Sequence, residues 1–167
     1  MIALSKEKYL LNGISQEVFW NELDKITAGQ NVNPEISYST QYFPNFDNIF
    51  AGRKIGNTFS IYLYKPKISG FRTEILAKGT LHEEKNKIRI DCSFEIPLGS
   101  LLKALILVFL FNIPFYLSSS TAGLIFSFII VAIYTTLISS NHTDIKRTLS
   151  TQLKKIEQEN IQATVKS

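Results

Sequence analysis

Several things are scarce or missing in this chain, and each absence excludes something. There is one cysteine, Cys92, so no internal disulfide can form and nothing demands an oxidising compartment. With that cysteine and two histidines, His82 and His142, the ligands for an ordinary zinc site are too few. Gly52, Gly56, Gly70 and Gly79 are spaced as turn and sheet glycines, not as GxGxxG or GxxxxGK, so no phosphate-cradling loop is read here. No cofactor is expected. Internal repeats and low-complexity tracts are absent. The opening MIALSKEKYL places Lys6, Glu7 and Lys8 where the apolar core of a secretory leader would run, so no leader is expected.

The most informative absence is of charge. Residues 104–143 contain no Asp, Glu, Lys or Arg, so all 18 bases and all 14 acids lie outside that stretch. Crossing a bilayer takes about 20 mostly apolar residues, and the gap is long enough for two such passes and a tight turn. Two transmembrane helices are therefore predicted, Leu101–Ser119 and Thr121–Ser139, joined through Ser118-Ser119-Ser120-Thr121. Phe109, Phe111, Phe115, Phe126 and Phe128 point in every helical direction, and a domain of this size cannot bury two helices that are apolar all round. Lys103 can snorkel to the headgroups, and Pro114 is expected to kink the first span without breaking it. Asn112 is the single strongly polar side chain inside a span, which suits helix packing better than an ion path.

Bases near the span ends set the orientation. Lys85, Lys87, Arg89 and Lys103 flank the first span, and Lys146, Arg147, Lys154 and Lys155 follow the second. The connecting turn has none. The positive-inside rule then places both termini in the cytoplasm, as a multi-pass protein of a cell (inner) membrane.

Outside the apolar gap the periodicity changes along the chain. Tyr9-Leu10-Leu11 reads as a short strand and Asn12-Gly13 as a turn. Ser15 is a good N-cap, Glu17 lies in a favourable first turn, and Phe19, Leu23 and Ile26 recur at helical spacing until Gly29. Residues 28–47 are polar and aromatic, with a possible strand around Ile36–Tyr42. Tyr38, Tyr42, Phe43 and Phe46 there are expected to close the end of a small core rather than line a ligand pocket.

From residue 48 to 96 the period is two. Phe59, Ile61 and Leu63 alternate with polar or aromatic neighbours after a Gly56-Asn57 turn, which pairs them with Phe50–Ile55. A second hairpin is expected to join Phe71–Glu83 to Lys87–Ile96, whose Ile88, Ile90, Cys92, Phe94 and Ile96 share one face. Beyond the second span Ile145, Leu149, Leu153 and Ile156 form an apolar stripe on an amphipathic helix, capped near Asn141–Thr143.

Candidate chemistry is thin. Cys92 and His82 suggest a nucleophile and base, but Cys92 sits in the apolar register of its strand and reads as a buried structural thiol. Glu83-Glu84 reads as a charged hairpin turn. Asn141-His142-Thr143 matches a glycosylation acceptor and serves equally as a helix cap. No catalytic constellation is found, and no enzyme is expected.

Charge is distributed more tellingly. From Phe50 to Thr80 stand Arg53, Lys54, Lys65, Lys67, Arg72 and Lys78 against Glu74 alone, a local +5, whereas residues 1–49 carry a local −3. With Lys103, these six bases are candidate contacts to anionic lipid headgroups. A net charge of +4 without a base-reading helix or aromatic RNA motif disfavours nucleic acid as a partner.

The pattern Phe50-Ala51-Gly52, Asn57-Thr58-Phe59-Ser60-Ile61, Gly79 and Lys87-Ile88-Arg89-Ile90, followed directly by a hydrophobic pair, resembles one in small bacterial membrane proteins of uncharacterised role. These carry a β-rich cytoplasmic domain and a transmembrane hairpin. The resemblance covers residues 48–140 and implies architecture, with no site residues to carry over.

The expected fold is α+β. It comprises a β-rich cytoplasmic domain (1–98) with an N-terminal helix and a four-to-five-stranded antiparallel sheet, a two-helix hairpin (99–140), and an amphipathic helix and tail (141–167). That last helix is expected to pack back on the sheet. The expected function is a membrane-tethered binding or adaptor module, with a subunit of a larger membrane assembly (a pore, or an immunity-type protein) as the alternative. Expected partners are the lipid bilayer, anionic headgroups, and other membrane proteins or a second copy.

Overall fold

The structure, a computed structural model, describes residues 1–28, 50–63, 75–85, 87–118 and 120–166. In chain order the elements are β1 (Ile2–Asn12), α1 (Gln16–Ile26), β2 (Thr27–Ala28), β3 (Phe50–Ile55), β4 (Thr58–Leu63), β5 (Leu76–Glu84), β6 (Lys87–Ile96), α2 (Leu98–Ser118) and α3 (Ser120–Lys166). The sheet order is β1-β6-β5-β4-β3-β2. Its five longer strands are antiparallel to their neighbours, and the two-residue β2 adds to β3 in parallel. The fold is α+β.

Alternation decides the faces. Along β6, Ile88, Ile90, Cys92, Phe94 and Ile96 are buried while Arg89, Asp91, Ser93 and Glu95 stay partly exposed. The register carries this parity across the sheet: Phe59 opposite Gly79, Gly79 opposite Cys92, and Cys92 opposite Glu7 of β1. Gly79 is required by this packing, because a Cβ there would fall on the Phe59 ring. The β3–β4 hairpin closes through Gly56 and Asn57, with Gly56 at φ 56°, in the left-handed region that suits glycine.

Two helices cover the apolar face. Ser15 starts α1, its Oγ accepting from the Val18 N–H at 3.3 Å. Phe19, Trp20 and Leu23 then enter the core, and Phe19 and Trp20 pack edge-on at 5.2 Å between ring centres. The helix stops at Ile26, short of Gly29. Thr27 turns extended (φ −114°, ψ 124°) and pairs with Phe50, so strand pairing takes over before glycine is reached. The second cover is the far half of α3, whose Ile145, Leu149, Leu153 and Ile156 are buried in the same cluster as Phe94, Ile90 and Ile88. Each side chain so buried contributes up to about 2–3 kcal/mol.

Three expectations need correction. The first strand is not a short piece at Tyr9–Leu11 but runs the full eleven residues of β1, paired with β6 and bulged at Leu4. Strand β5 begins at Leu76, and residues 71–74 lie outside the described residues, as do Gly29, the Ile36–Tyr42 segment and the aromatics Tyr38, Tyr42, Phe43 and Phe46. The third concerns Asn141–Thr143, which do not cap a separate helix. They lie inside α3, a single helix of 47 residues. Glycine and proline are absent from 124–166, so nothing stops propagation there. The Thr143 hydroxyl donates back to the Ser139 carbonyl at 3.0 Å instead of capping.

Over its first half α3 leaves the sheet behind. Leu124, Ile125, Phe128, Ile129, Val131 and Ile133 are exposed, Phe128 to 75%. Helix α2 opens where β6 ends, with Ser100 N–H donating to the Pro97 carbonyl, and continues unbroken through residue 114. It also shows exposed apolar side chains, Leu105 to 67% and Phe109 to 69%. The Tyr134 hydroxyl of α3 donates to the Ser100 carbonyl at 3.0 Å, and Leu101 and Ile138 pack on the edge of the core. Among the described residues one helix, α3, is long and apolar enough to cross a membrane.

Candidate functional site

The chemistry of the described residues concentrates where α3 lies along β1. The Ser5 hydroxyl and His142 Nε2 are 2.7 Å apart, Glu7 pairs with Lys146, and the Glu157 carboxylate accepts from the Asn12 backbone N–H (2.9 Å) and side-chain amide (3.0 Å). These contacts advance in step. From His142 to Glu157 the helix rises about 22 Å at 1.5 Å per residue, and from Ser5 to Asn12 the strand advances about 23 Å. Helix and strand therefore run parallel, with two polar stitches near one end and one at the other. Between the polar stitches lies the apolar stripe of α3.

Beside this seam Cys92, Tyr9 and His142 are each shifted toward the neutral form. Burial pushes the Cys92 thiol up to about 12, helped by the Glu7 carboxylate. Burial, then Cys92 and Glu7, push the Tyr9 phenol up to about 12 as well, and its buried hydroxyl has no hydrogen-bond partner. His142 is lowered by burial and by Lys146, against a smaller opposing pull from Glu7, and its ring packs edge-on to Phe94 at 5.5 Å. A thiol that ionises so reluctantly is a poor nucleophile. This is the arrangement of a packing seam.

The structure separates the residues that the sequence offered as a nucleophile and base. Cys92 lies on the core face of β6, whereas His82 of β5 is on the opposite face, 3.3 Å from Asp91. They form no dyad. Glu84 at the β5–β6 turn pairs with Arg89 at 2.9 Å, while Glu83 is simply exposed. No group of three or more His, Cys, Asp or Glu side chains among the described residues is gathered to hold a metal ion.

The candidate headgroup contacts are likewise distributed. Lys54 lies on the helix-covered side, its ammonium 4.2 Å from the centre of the Trp20 ring, a cation–π contact. Arg53, its neighbour in β3, faces the other way and keeps a buried Nε without a hydrogen-bond partner. Lys78 of β5 shares that face, 3.2 Å from Glu95 and 3.0 Å from the Met1 sulfur. Lys65, Lys67 and Arg72 lie outside the described residues, and Lys103 is placed only as part of the α2 backbone. Sequence reasoning missed the Ser5–His142 and Glu7–Lys146 contacts, which join residues some 137 positions apart in the first case and have no local signature.

Comparison with protein-family models, with curated proteins and with solved structures gives no match.

Proposed function

We propose that this chain is a membrane-tethered binding module. In this reading α2 and α3 cross the bilayer as a two-helix hairpin, and the sheet stands beneath it at the headgroups on the cytoplasmic side of a cell membrane. The observation that supports it best is the division of α3. One unbroken helix buries its far half in the sheet core and leaves its near half apolar and exposed. Exposed apolar side chains gathered along this half of α3, and continued on α2, are the kind of contiguous patch that marks a membrane or partner interface. Ser120 to Ser139 spans about 30 Å as a helix, the thickness of the hydrocarbon layer. Lys85, Lys87, Arg89 and Lys103 before the hairpin, and Lys146, Arg147, Lys154 and Lys155 after it, support cytoplasmic termini.

The rigid join matters to the role. Because α3 is one helix, any tilt of the hairpin moves the strip of β1 that it is stitched to, so the sheet is held at a set height and orientation.

The test is accessibility in sealed inverted and right-side-out vesicles. With Cys92 replaced by alanine, a cysteine at Thr121 should react with an impermeant maleimide from the face opposite the termini. Cysteines at Lys85 and Lys155 should react from the other face. Labelling of Thr121 and Lys155 from the same face would refute the hairpin.

A second reading, a subunit of a larger membrane assembly, is favoured by one feature of α3. Thr135, Thr136, Ser139 and Thr143 are exposed and small, and the hydroxyls of Thr135, Thr136 and Thr143 bond back to their own helix at 2.8–3.0 Å. Such positions let another helix approach closely. Cross-links through Thr136 within the membrane would favour this reading; cross-links confined to the sheet would favour the first.

A further inference from the structure

Charge begins at the same level on the two elements that are stitched together. Along β1 the first charged side chain is Lys6, after Ile2-Ala3-Leu4-Ser5, and along α3 it is Asp144, after the apolar half. The seam sets these positions side by side: Ser5 meets His142 and Glu7 meets Lys146, so Lys6 lies level with about residue 144. Strand and helix thus pass from apolar to charged at one height. Beyond it the strand continues toward the exposed half of α3. Ile2 stands three residues before Ser5, about 10 Å along the strand, a distance α3 covers in about six or seven residues. Ile2 is therefore level with about residues 135–136 of α3, which are exposed, as are Ile2 itself (52%) and Leu4 (36%).

Helix α2 opens at the same corner. Ile96, the last residue of β6, pairs with Ile2, the Ser100 carbonyl accepts from the Tyr134 hydroxyl, and Leu101 and Ile138 share the edge of the core. Leu98 and Leu102, one turn apart, are 67% and 57% exposed, and Leu105 and Phe109 continue their stripe along the helix. The charged side chain of β6 at this level is Glu95, opposite Ala3; it is 17% exposed and held by Lys78 at 3.2 Å.

We infer that this corner of the sheet, Ile2 and Leu4 of β1 with Leu98 and Leu102 of α2, is inserted into lipid at the boundary between headgroups and acyl chains, a third contact beside the two spans. The inference rests on the membrane-tethered reading above. The patch is continuous with the exposed stripe of α2 and lies level with the last turns of the apolar run of α3, so the medium that surrounds those helices surrounds it too. Apolar side chains of an element lying at a bilayer surface enter that boundary by about 5–10 Å. The strand goes no deeper, because β1 is an edge strand whose outward backbone N–H and C=O groups need water.

The test places single reporter cysteines in the full chain, reconstituted into phosphatidylcholine vesicles. It reads how far an attached bimane is quenched by spin-labelled phosphatidylcholine whose nitroxide sits either near the glycerol or at the end of the acyl chain. Cys92 is buried, so the wild-type chain supplies the blank. Ile2→Cys and Leu4→Cys, both at exposed positions, should be quenched about threefold more than Leu10→Cys, which is exposed on the same strand about 26 Å beyond Ile2. At Ile2 and Leu4 the near-glycerol label should be the stronger quencher, and at Phe128→Cys, near mid-span, the chain-end label. Quenching at Phe128 with none at Ile2 and Leu4 would give the corner to a protein partner and overturn the inference while leaving the spans standing. Equal quenching at Ile2, Leu4 and Leu10, the result for a sheet lying flat on the bilayer, would overturn it as well. Absence of quenching at Phe128 refutes the tethered reading, and this contact falls with it.

Discussion

Replacing Leu149 with alanine tests whether the far half of α3 belongs to the sheet's core. Leu149 is 0% exposed and lies in the cluster that holds Phe94, Ile90 and Cys92. Truncating a leucine so placed removes its transfer free energy and leaves a cavity that neighbours on a paired sheet fill poorly, a loss of about 2–5 kcal/mol. At about 3 kcal/mol the population of open molecules rises roughly 150-fold. The chain contains its own reporter, because Cys92 is its lone thiol and is 2% exposed. A thiol reagent reaches it only when the sheet opens, and where reclosing outpaces labelling the rate follows the open population. Labelling of the full chain in detergent should therefore accelerate about two orders of magnitude in Leu149→Ala. Phe128→Ala, at a position 75% exposed, should leave the rate within twofold of wild type. Equal rates in wild type and Leu149→Ala would refute the packing of α3 on the sheet, and an acceleration in Phe128→Ala would refute the exposure of the near half.

Three further outcomes are expected. Gly79→Ala should destabilise the sheet by about 1–3 kcal/mol in denaturant melts, because its new Cβ meets the Phe59 ring, and Phe59→Leu should recover part of that loss; additive losses would contradict the contact. Stability should fall on the alkaline side. The Cys92 thiol titrates at 9.0 when free and at about 12 when folded, so above pH 9 the unfolded chain binds fewer protons and stability declines by up to about 1.4 kcal/mol per pH unit until the folded value is reached. Cys92→Ala should flatten that slope up to pH 10, above which Tyr9 adds its own; an identical slope in the variant would remove Cys92 as the cause. Phe128→Lys places a charge near mid-span and should cost about 2.5–3.5 kcal/mol of insertion, measured as a smaller membrane-integrated fraction; unaltered integration would argue against that segment as a span.

Much of the architecture was legible in local pattern. The alternation of Ile88, Ile90, Cys92, Phe94 and Ile96 predicts which face of β6 is buried, because a strand side chain has only two directions to choose from. Ser15 marks the start of α1 for an equally local reason, since its hydroxyl satisfies an N–H three residues away. The stripe Ile145, Leu149, Leu153 and Ile156 likewise identifies an apolar helix face without naming what it meets. The charge-free run of residues 104–143 marks, from composition alone, where the chain leaves the sheet for its apolar helices.

Other features depend on contacts between distant parts of the chain. The edge position of β1 beside β6, and its full length, arise from pairing between residues 75 to 94 positions apart, which no local period encodes. The absence of a break at Asn141–Thr143 was obscured by residues that suit a cap but equally bond back within a helix; the packing of α3 on both sides of them favours continuation. The faces of Arg53 and Lys54, adjacent in sequence, separate one toward the face away from α1 and one over Trp20 because strand parity and the docking of α1 act together. Sequence by itself determined that a charge-free segment follows a two-faced sheet. Only the tertiary structure decided that one helix carries both the exposed apolar stretch and the stripe buried on the sheet, because the seam from Ser5 to Asn12 holds that helix parallel to the first strand.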